Sequence, residues 1–198
     1  MSCKPNRRLQ EKILNIKIEV ILIFDLDGTL VDTDNANFLA YKEAILNIKE
    51  LDLAQFDSNT VRFTREKLRK IIPNTTELEF KEIIDIKDKV FHKYLNETKI
   101  NIEYLEFIKQ YSKTNKIILA TNSSKARAEL ILRFYDLVNI FDFIFYKEDY
   151  NDYKVGKYEY VLNSLKLDPK SVMIFDNEQL ELTNAHIAGV PAKNMMKL

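Results

Sequence analysis

The chain has 198 residues, of which 46% are apolar, thirty are basic and thirty acidic, with a single cysteine; this suits one domain, or one domain carrying an insertion, with enough apolar material for an ordinary core. Balanced, interspersed charge gives no reason to expect nucleic acid or an anionic membrane as partner, and Cys3 alone excludes an internal disulfide framework and fits a reducing compartment. The longest apolar run, Val20–Phe24, is far shorter than the roughly 20 residues that span a bilayer.

In chain order, Met1–Ile18 is basic and has no apolar stretch of the kind a secretory signal carries, so a cytoplasmic location is expected, and the segment suits a short helix. EVILIF (Glu19–Phe24) is a continuous apolar run, as in a strand buried on both faces. From Asn35 to about Thr98 the pattern is helical throughout. Phe38, Tyr41, Ile45 and Ile48 form one stripe, Phe63–Ile72 a second segment ending at Pro73, and Ile83, Ile86, Val90 and Tyr94 a third, introduced by Thr76 and Glu79 at capping-box spacing. KIILA (Lys116–Ala120), FDFIF (Phe141–Phe145) and SVMIF (Ser171–Phe175) are three more buried-strand runs. Between them, one helical stripe is expected at Ala126, Leu130, Ile131 and Phe134 and another at Tyr158, Val161, Leu162 and Leu165. The alternation predicts an α/β fold with a Rossmann-like, doubly wound parallel sheet, residues 1–32 and 99–198, and an inserted all-helical cap, residues 33–98.

In such a sheet the site lies at the carboxyl ends of the strands. The first strand runs into Asp25-Leu26-Asp27-Gly28-Thr29, the second into Thr121-Asn122-Ser123-Ser124, and the fourth into Asp176-Asn177-Glu178; after the third comes a segment with Lys154, Gly156 and Lys157. Clustered carboxylates beside hydroxyls and a lysine suit phosphoryl transfer through an aspartyl phosphate. On an extended segment Asp25 and Asp27 face the same side. The collected oxygens are the hard ligands magnesium prefers.

The segment FDLDGTLVDT resembles the signature of the haloacid dehalogenase superfamily, in its branch of small phosphatases and phosphomutases with a helical cap, and LATNSSKARAELIL, LVNIFDFIF and AHIAGVP are similar to later segments of that family. The resemblance spans about Val20 to Pro191. It implies a nucleophile at Asp25, an acid and then base at Asp27, a phosphoryl-holding hydroxyl at Thr121, and a charge-neutralising lysine at Lys154. It further implies phosphate contacts from Leu26, Gly28 and Asn122, and a Mg2+ ion held by Asp25, the backbone carbonyl of Asp27, and Asp176. The implied activity is hydrolysis of a small-molecule phosphate ester. A phosphomutase using the same residues, or a non-catalytic binding module on the same scaffold, are the alternatives; dehalogenation is disfavoured because the family's dehalogenases lack an acid at the position of Asp27. The cap supplies specificity in this family.

Two departures stand out. Val155, not the family's usual proline, follows Lys154; counting forward from FDFIF selects Lys154, the favoured site lysine, while counting backward from LDPKSVMIF requires a small deletion in the intervening helix and leaves Lys157 as the alternative. Asn177 stands where relatives commonly carry an aspartate. Other readings are plainer. Asp32, Asp34 and Glu43 match three positions of a calcium loop, but Asn37 takes the place of its required glycine. TNSS suits a helix N-cap, the basic run Arg62, Arg65, Lys67, Arg69 and Lys70 a solvated helix face, and the tyrosines packing; His92 and His186 have little claim on a metal.

Overall fold

The structure, a computed structural model, describes residues 19–49, 68–70 and 72–197. The expected N-terminal helix and most of the Phe63–Ile72 segment lie outside those residues. In chain order the regular elements are β1 (Ile21–Phe24), β2 (Val31–Asp32), α1 (Asp34–Ile48), α2 (Glu77–Val90), β3 (Lys99–Ile100), α3 (Ile102–Tyr111) and β4 (Ile117–Ala120). They continue with α4 (Lys125–Phe134), β5 (Phe143–Phe145), α5 (Lys147–Tyr150), α6 (Lys157–Ser164), β6 (Val172–Asp176), α7 (Gln179–Ile187) and β7 (Met195–Lys197). The described residues form two compact units, one comprising the chain up to Leu30 and from Ile100 onward, the other Val31–Lys99.

The first unit is built on a five-stranded sheet in the order β5-β4-β1-β6-β7, with every pair parallel. Ile23 pairs with Ile118 on one side and Ile174 on the other, and Phe24 with Leu119 and Phe175. Because side chains alternate along a strand, this register sends Ile23, Ile118 and Ile174 to one face and Phe24 and Phe175 to the other. Tyr158, Val161 and Leu162 of α6 and Leu182 and Ala185 of α7 cover the isoleucine face. On the opposite face the rings of Phe24 and Phe175 stack at 4.4 Å between centroids, and Tyr104 and Phe107 of α3 pack against them at 5.3–6.2 Å. Both faces are covered over β1, β4 and β6, which is why those strands read as unbroken apolar runs; β5, expected to be buried as well, is an edge strand with Phe143 exposed and Ile144 and Phe145 half-buried.

Two details differ from the sequence reading. The buried stripe of α4 is Ala128, Ile131 and Leu132, while Ala126 and Phe134 are exposed; in ELILRF the consecutive apolar residues satisfy two neighbouring stripes equally, and packing chooses between them. The sheet also gains β7, three residues from NMMKL, which pairs with β6. Methionine, asparagine and lysine carry little strand preference, so the segment has no sequence signal of its own.

In the second unit α1 and α2 enclose a small core of Tyr41, Ala44, Ile45, Leu68, Phe80 and Ile83. The capping box forms as expected: Thr76 Oγ1 accepts from the Glu79 N–H at 3.2 Å, and Glu79 accepts from the Thr76 N–H at 2.8 Å. Lys87 is buried with its ammonium 5.4 Å and 5.9 Å from the ring centres of Tyr41 and Phe91 and 2.7 Å from Asp88. Of the basic run, Arg69 makes a two-pronged, exposed ion pair with Glu77. Between Asn35 and Thr98 no strand occurs among the described residues; β2 and β3, two residues each, form a separate two-stranded sheet.

Candidate active site

The loop after β1 is shaped by backbone and by one glycine. Asp25 donates its N–H to the Phe175 carbonyl at 3.0 Å, extending the β1–β6 ladder by one residue. The chain then turns, with the N–H groups of Thr29 and Leu30 both donating to the Leu26 carbonyl. Gly28 has φ +83°, and a Cβ there would collide with the Asn177 side-chain amide. Glycine is required on both counts. Thr29 Oγ1 accepts the Asn177 N–H at 3.2 Å and reaches the Asn177 Oδ1 at 3.4 Å, joining the loop after β1 to the loop after β6.

Two ion clusters sit on this frame. Lys157, the first residue of α6, places Nζ 2.7 Å from Asp25 Oδ1 and 2.8 Å from Asp176 Oδ2, and its side chain is 1% exposed. Asp176 also accepts from the Tyr158 hydroxyl at 2.6 Å and from the Glu178 N–H at 2.7 Å. The second oxygen of Asp25, Oδ2, has no partner among the described residues. In the other cluster Asp27 accepts from Ser123 Oγ at 2.6 Å and pairs with the Arg127 guanidinium at 2.5 Å. Buried carboxylates survive only with such partners.

Burial dominates the protonation of this cluster. It pushes the Asp25 carboxyl up to about 7; Lys157 pulls it down without cancelling that, and the nearby charges of Asp176 and Asp27 raise it further. Burial works against the Lys157 ammonium, but the Asp25 and Asp176 carboxylates more than offset it and hold the group above the ordinary lysine value. Burial, reinforced by Asp176 and Asp25, keeps the Tyr158 hydroxyl well above the usual phenol range, so it remains a donor at neutral pH.

The expected site residues distribute unevenly over this geometry. Thr121 is buried, with Oγ1 accepting the Ser123 N–H at 3.1 Å, which leaves the hydroxyl hydrogen to donate. Asn122 is turned to other partners: Nδ2 donates to Glu181 Oε1 at 3.0 Å and Oδ1 accepts from the Tyr150 hydroxyl. Leu26 buries its side chain completely, so only its backbone can face a ligand. Lys154 does not join the cluster. It is exposed, with φ +54°, and closes the short 3-10 turn Asn151–Tyr153. The lysine at the carboxylates is Lys157, because α6 begins there, directly after its N-cap Gly156. The N-cap reading of TNSS is half right: Ser124 is the N-cap of α4 but makes no side-chain cap bond, and Glu148 takes the Lys125 N–H instead.

Ser123, Arg127 and Tyr158 were not anticipated as site residues. A signal existed for Arg127. A cation in the first turn of a helix opposes the helix dipole, and both Arg127 and Lys157 occupy that position, each held there by a carboxylate from the loop after β1.

Asp176 is 0% exposed; its Oδ2 takes both the Lys157 ammonium and the Tyr158 hydroxyl, while its Oδ1 accepts the Glu178 N–H alone and keeps a further acceptor site. Among the described residues no group of three or more His, Cys, Asp or Glu side chains is arranged to hold a metal. Asp25, the Asp27 carbonyl and Asp176 are hard oxygens of the kind magnesium takes, Asn177 in the adjoining loop adds a neutral amide oxygen where a carboxylate would add charge, and the ion's range leaves remaining positions to water and a substrate phosphate.

The family model of the haloacid dehalogenase-like hydrolases matches residues 22–194, and the chain belongs to that family. Among individual relatives it is 27% identical over 177 residues to the phosphorylated carbohydrates phosphatase of Thermotoga maritima, covering 85% of this chain and 81% of that protein. A solved Thermotoga maritima structure described as a "putative beta-phosphoglucomutase" superposes with a TM-score of 0.62 at 27% identity, over 90% of this chain and 84% of the other. CbbY from Rhodobacter sphaeroides, solved in complex with phosphate, superposes with a TM-score of 0.67 at 19% identity, over 88% and 84% of the two chains, a likeness of fold. No helix among the described residues is long and apolar enough to cross a membrane.

Proposed function

We propose that the protein hydrolyses small-molecule phosphomonoesters, with phosphorylated carbohydrates as the first class to test, through a phosphoryl group carried on Asp25. The observation that carries the reading is Asp25 itself: a buried carboxylate anchored by one oxygen to Lys157 while the other has no hydrogen-bond partner among the described residues, which is the posture of a nucleophile. Asp25 Oδ2 attacks phosphorus as the bond to the ester oxygen breaks, and Asp27 gives that oxygen its proton. Water then attacks phosphorus, its proton returns to Asp27, and Asp25 is released with inorganic phosphate. Lys157 offsets the charge of the nucleophile and the transferring group, and the Thr121 hydroxyl donates to a phosphoryl oxygen. A bound magnesium would neutralise phosphoryl oxygens beside Asp25. Asp27 starts in the grip of Ser123 and Arg127, so delivering a proton requires that grip to loosen. The class of substrate is supported by the similarity to the phosphorylated carbohydrates phosphatase of Thermotoga maritima.

The test is release of inorganic phosphate from a panel of sugar phosphates, phosphoglycolate-like acids and nucleoside monophosphates, with and without a chelator. Turnover that disappears in Asp25→Asn supports the reading; equal turnover in Asp25→Asn and the parent refutes it. A product that is an isomeric phosphate ester, with no free phosphate, would identify a phosphomutase instead.

A further inference from the structure

We propose that Tyr150 is a positioning residue: its buried hydroxyl, carried on the short helix α5, fixes the loop after β4 and so sets the geometry of the reaction through Thr121 and Ser123. The inference rests on the phosphoryl-transfer reading of the site and adds the element that holds two of its hydroxyls in place. In the segment YKEDYNDYKVGK, Lys157 serves the carboxylates, and the residues at its start serve the neighbouring loop.

Three residues of α5 reach that loop. The Lys147 N–H donates to the Ser123 carbonyl at 3.2 Å. The Glu148 carboxylate takes the Lys125 N–H at 3.0 and 3.1 Å. The Tyr150 hydroxyl lies 2.9 Å from the Thr121 carbonyl and 2.5 Å from Asn122 Oδ1, so its one hydrogen is shared between them. Asn122 in turn donates to Glu181 of α7 at 3.0 Å, tying the same loop to a further element. A single helical turn is unstable alone, and Asp149 closes this one by accepting the Tyr146 N–H at 2.7 Å. Burial holds the Tyr150 phenol above its ordinary range, so it stays a donor at neutral pH. Thr121 and Tyr150 are 1% and 7% exposed, so water has little access to replace a lost phenol hydrogen, and the loop must shift to satisfy its carbonyl. The two hydroxyls of that loop would shift with it. Thr121 Oγ1 has its hydrogen left to donate to a phosphoryl oxygen, and Ser123 Oγ donates to Asp27 at 2.6 Å. A misplacement of about 1 Å at such contacts can cost roughly 10²-fold in rate.

Tyr150→Phe removes the hydroxyl and keeps the ring. In phosphate release from the best panel substrate it should lower kcat by about 10–100-fold and leave KM within about threefold of the parent. Added to Thr121→Val it should cost much less than it does alone, because both changes act through one contact. Hydrogen–deuterium exchange of the full-length protein, read on peptides covering residues 121–125, should be faster by about tenfold in Tyr150→Phe and by a smaller factor in Glu148→Ala, with the β1 and β6 peptides unchanged. Tyr153→Phe, which alters an exposed phenol on the following turn, should match the parent in both assays. Lowered stability with an unchanged kcat, unchanged exchange over 121–125, or a Tyr150→Phe loss that adds in full to that of Thr121→Val overturns the inference. If Tyr150→Phe does not fold, Glu148→Ala, a change at the surface, carries the exchange test, and unchanged exchange there overturns it too. A loosened loop in a protein that releases phosphate from no panel ester would defeat the phosphatase reading and keep the mount; full turnover and an unchanged loop in Tyr150→Phe would do the opposite.

Discussion

Replacing Lys157 by methionine tests the centre of the site, because it removes the ammonium while filling nearly the same space. Among the described residues Lys157 is the cation between Asp25 and Asp176, at 2.7 Å and 2.8 Å. Breaking a buried pair by deleting one partner costs about 3–5 kcal/mol, a large share of the roughly 5–15 kcal/mol that holds a domain folded. Lys157→Met should therefore unfold at clearly lower denaturant than the parent. The two carboxylates left behind repel, and the Asp25 carboxyl, already at about 7 through burial, should rise further. Its acid limb in the pH–rate profile should then move to higher pH, so raising the pH should recover part of the lost rate. The remainder, the stabilisation of the transferring phosphoryl group, should amount to roughly 10²–10³-fold in kcat, the usual worth of one preorganised electrostatic contact. Lys154→Met, on an exposed turn, should match the parent in both respects. The assay is phosphate release from the best panel substrate between pH 5 and pH 9, with unfolding curves for all three proteins. Lys157→Met activity within threefold of the parent at every pH, or an equal defect in Lys154→Met, would refute the assignment.

Asp27→Asn should slow turnover by roughly 10²–10⁴-fold, the range for loss of a general acid, and an unchanged rate would remove Asp27 from the chemistry. The Asp25 carboxyl is raised from 3.8 to about 7 on folding, so between those values the folded state keeps a proton the unfolded chain has released. Stability should consequently fall as pH rises through that window, by roughly 4 kcal/mol at most, and thermal unfolding from pH 4 to pH 8 should show a flatter slope in Asp25→Asn. Gly28→Ala should cost about 1–3 kcal/mol for the left-handed backbone alone, with a further penalty for displacing Asn177, read as a lowered melting temperature. Thr76→Ala removes one half of the capping box and should cost about 1 kcal/mol in a denaturant titration.

The sequence by itself determined the sheet and the polar residues that stand at its strand ends, and the reason is local. EVILIF, KIILA and SVMIF are apolar without interruption because both faces of their strands are covered, and such runs declare themselves at short range. Each then ends in polar residues the core cannot absorb, so Asp25, Asp27, Thr121 and Asp176 were legible as the strand-end cluster. The helix α6 was legible too, since Tyr158, Val161 and Leu162 repeat at one spacing only. What tertiary structure decided was which partner each charge takes. Lys154 and Lys157 are both plausible by counting, and the choice depends on where α6 begins and which way its first turn points. Asp176 is legible as a strand-end carboxylate, but that Lys157 and Tyr158 approach its Oδ2 from another element is a matter of tertiary structure. Arg127 meets Asp27 across 100 residues of sequence, and no periodicity encodes a contact of that kind. The stripe of α4 and the strand β7 were likewise settled by neighbours, because residues of weak or ambiguous preference take the conformation that buries the most surface and leaves the fewest backbone groups unpaired.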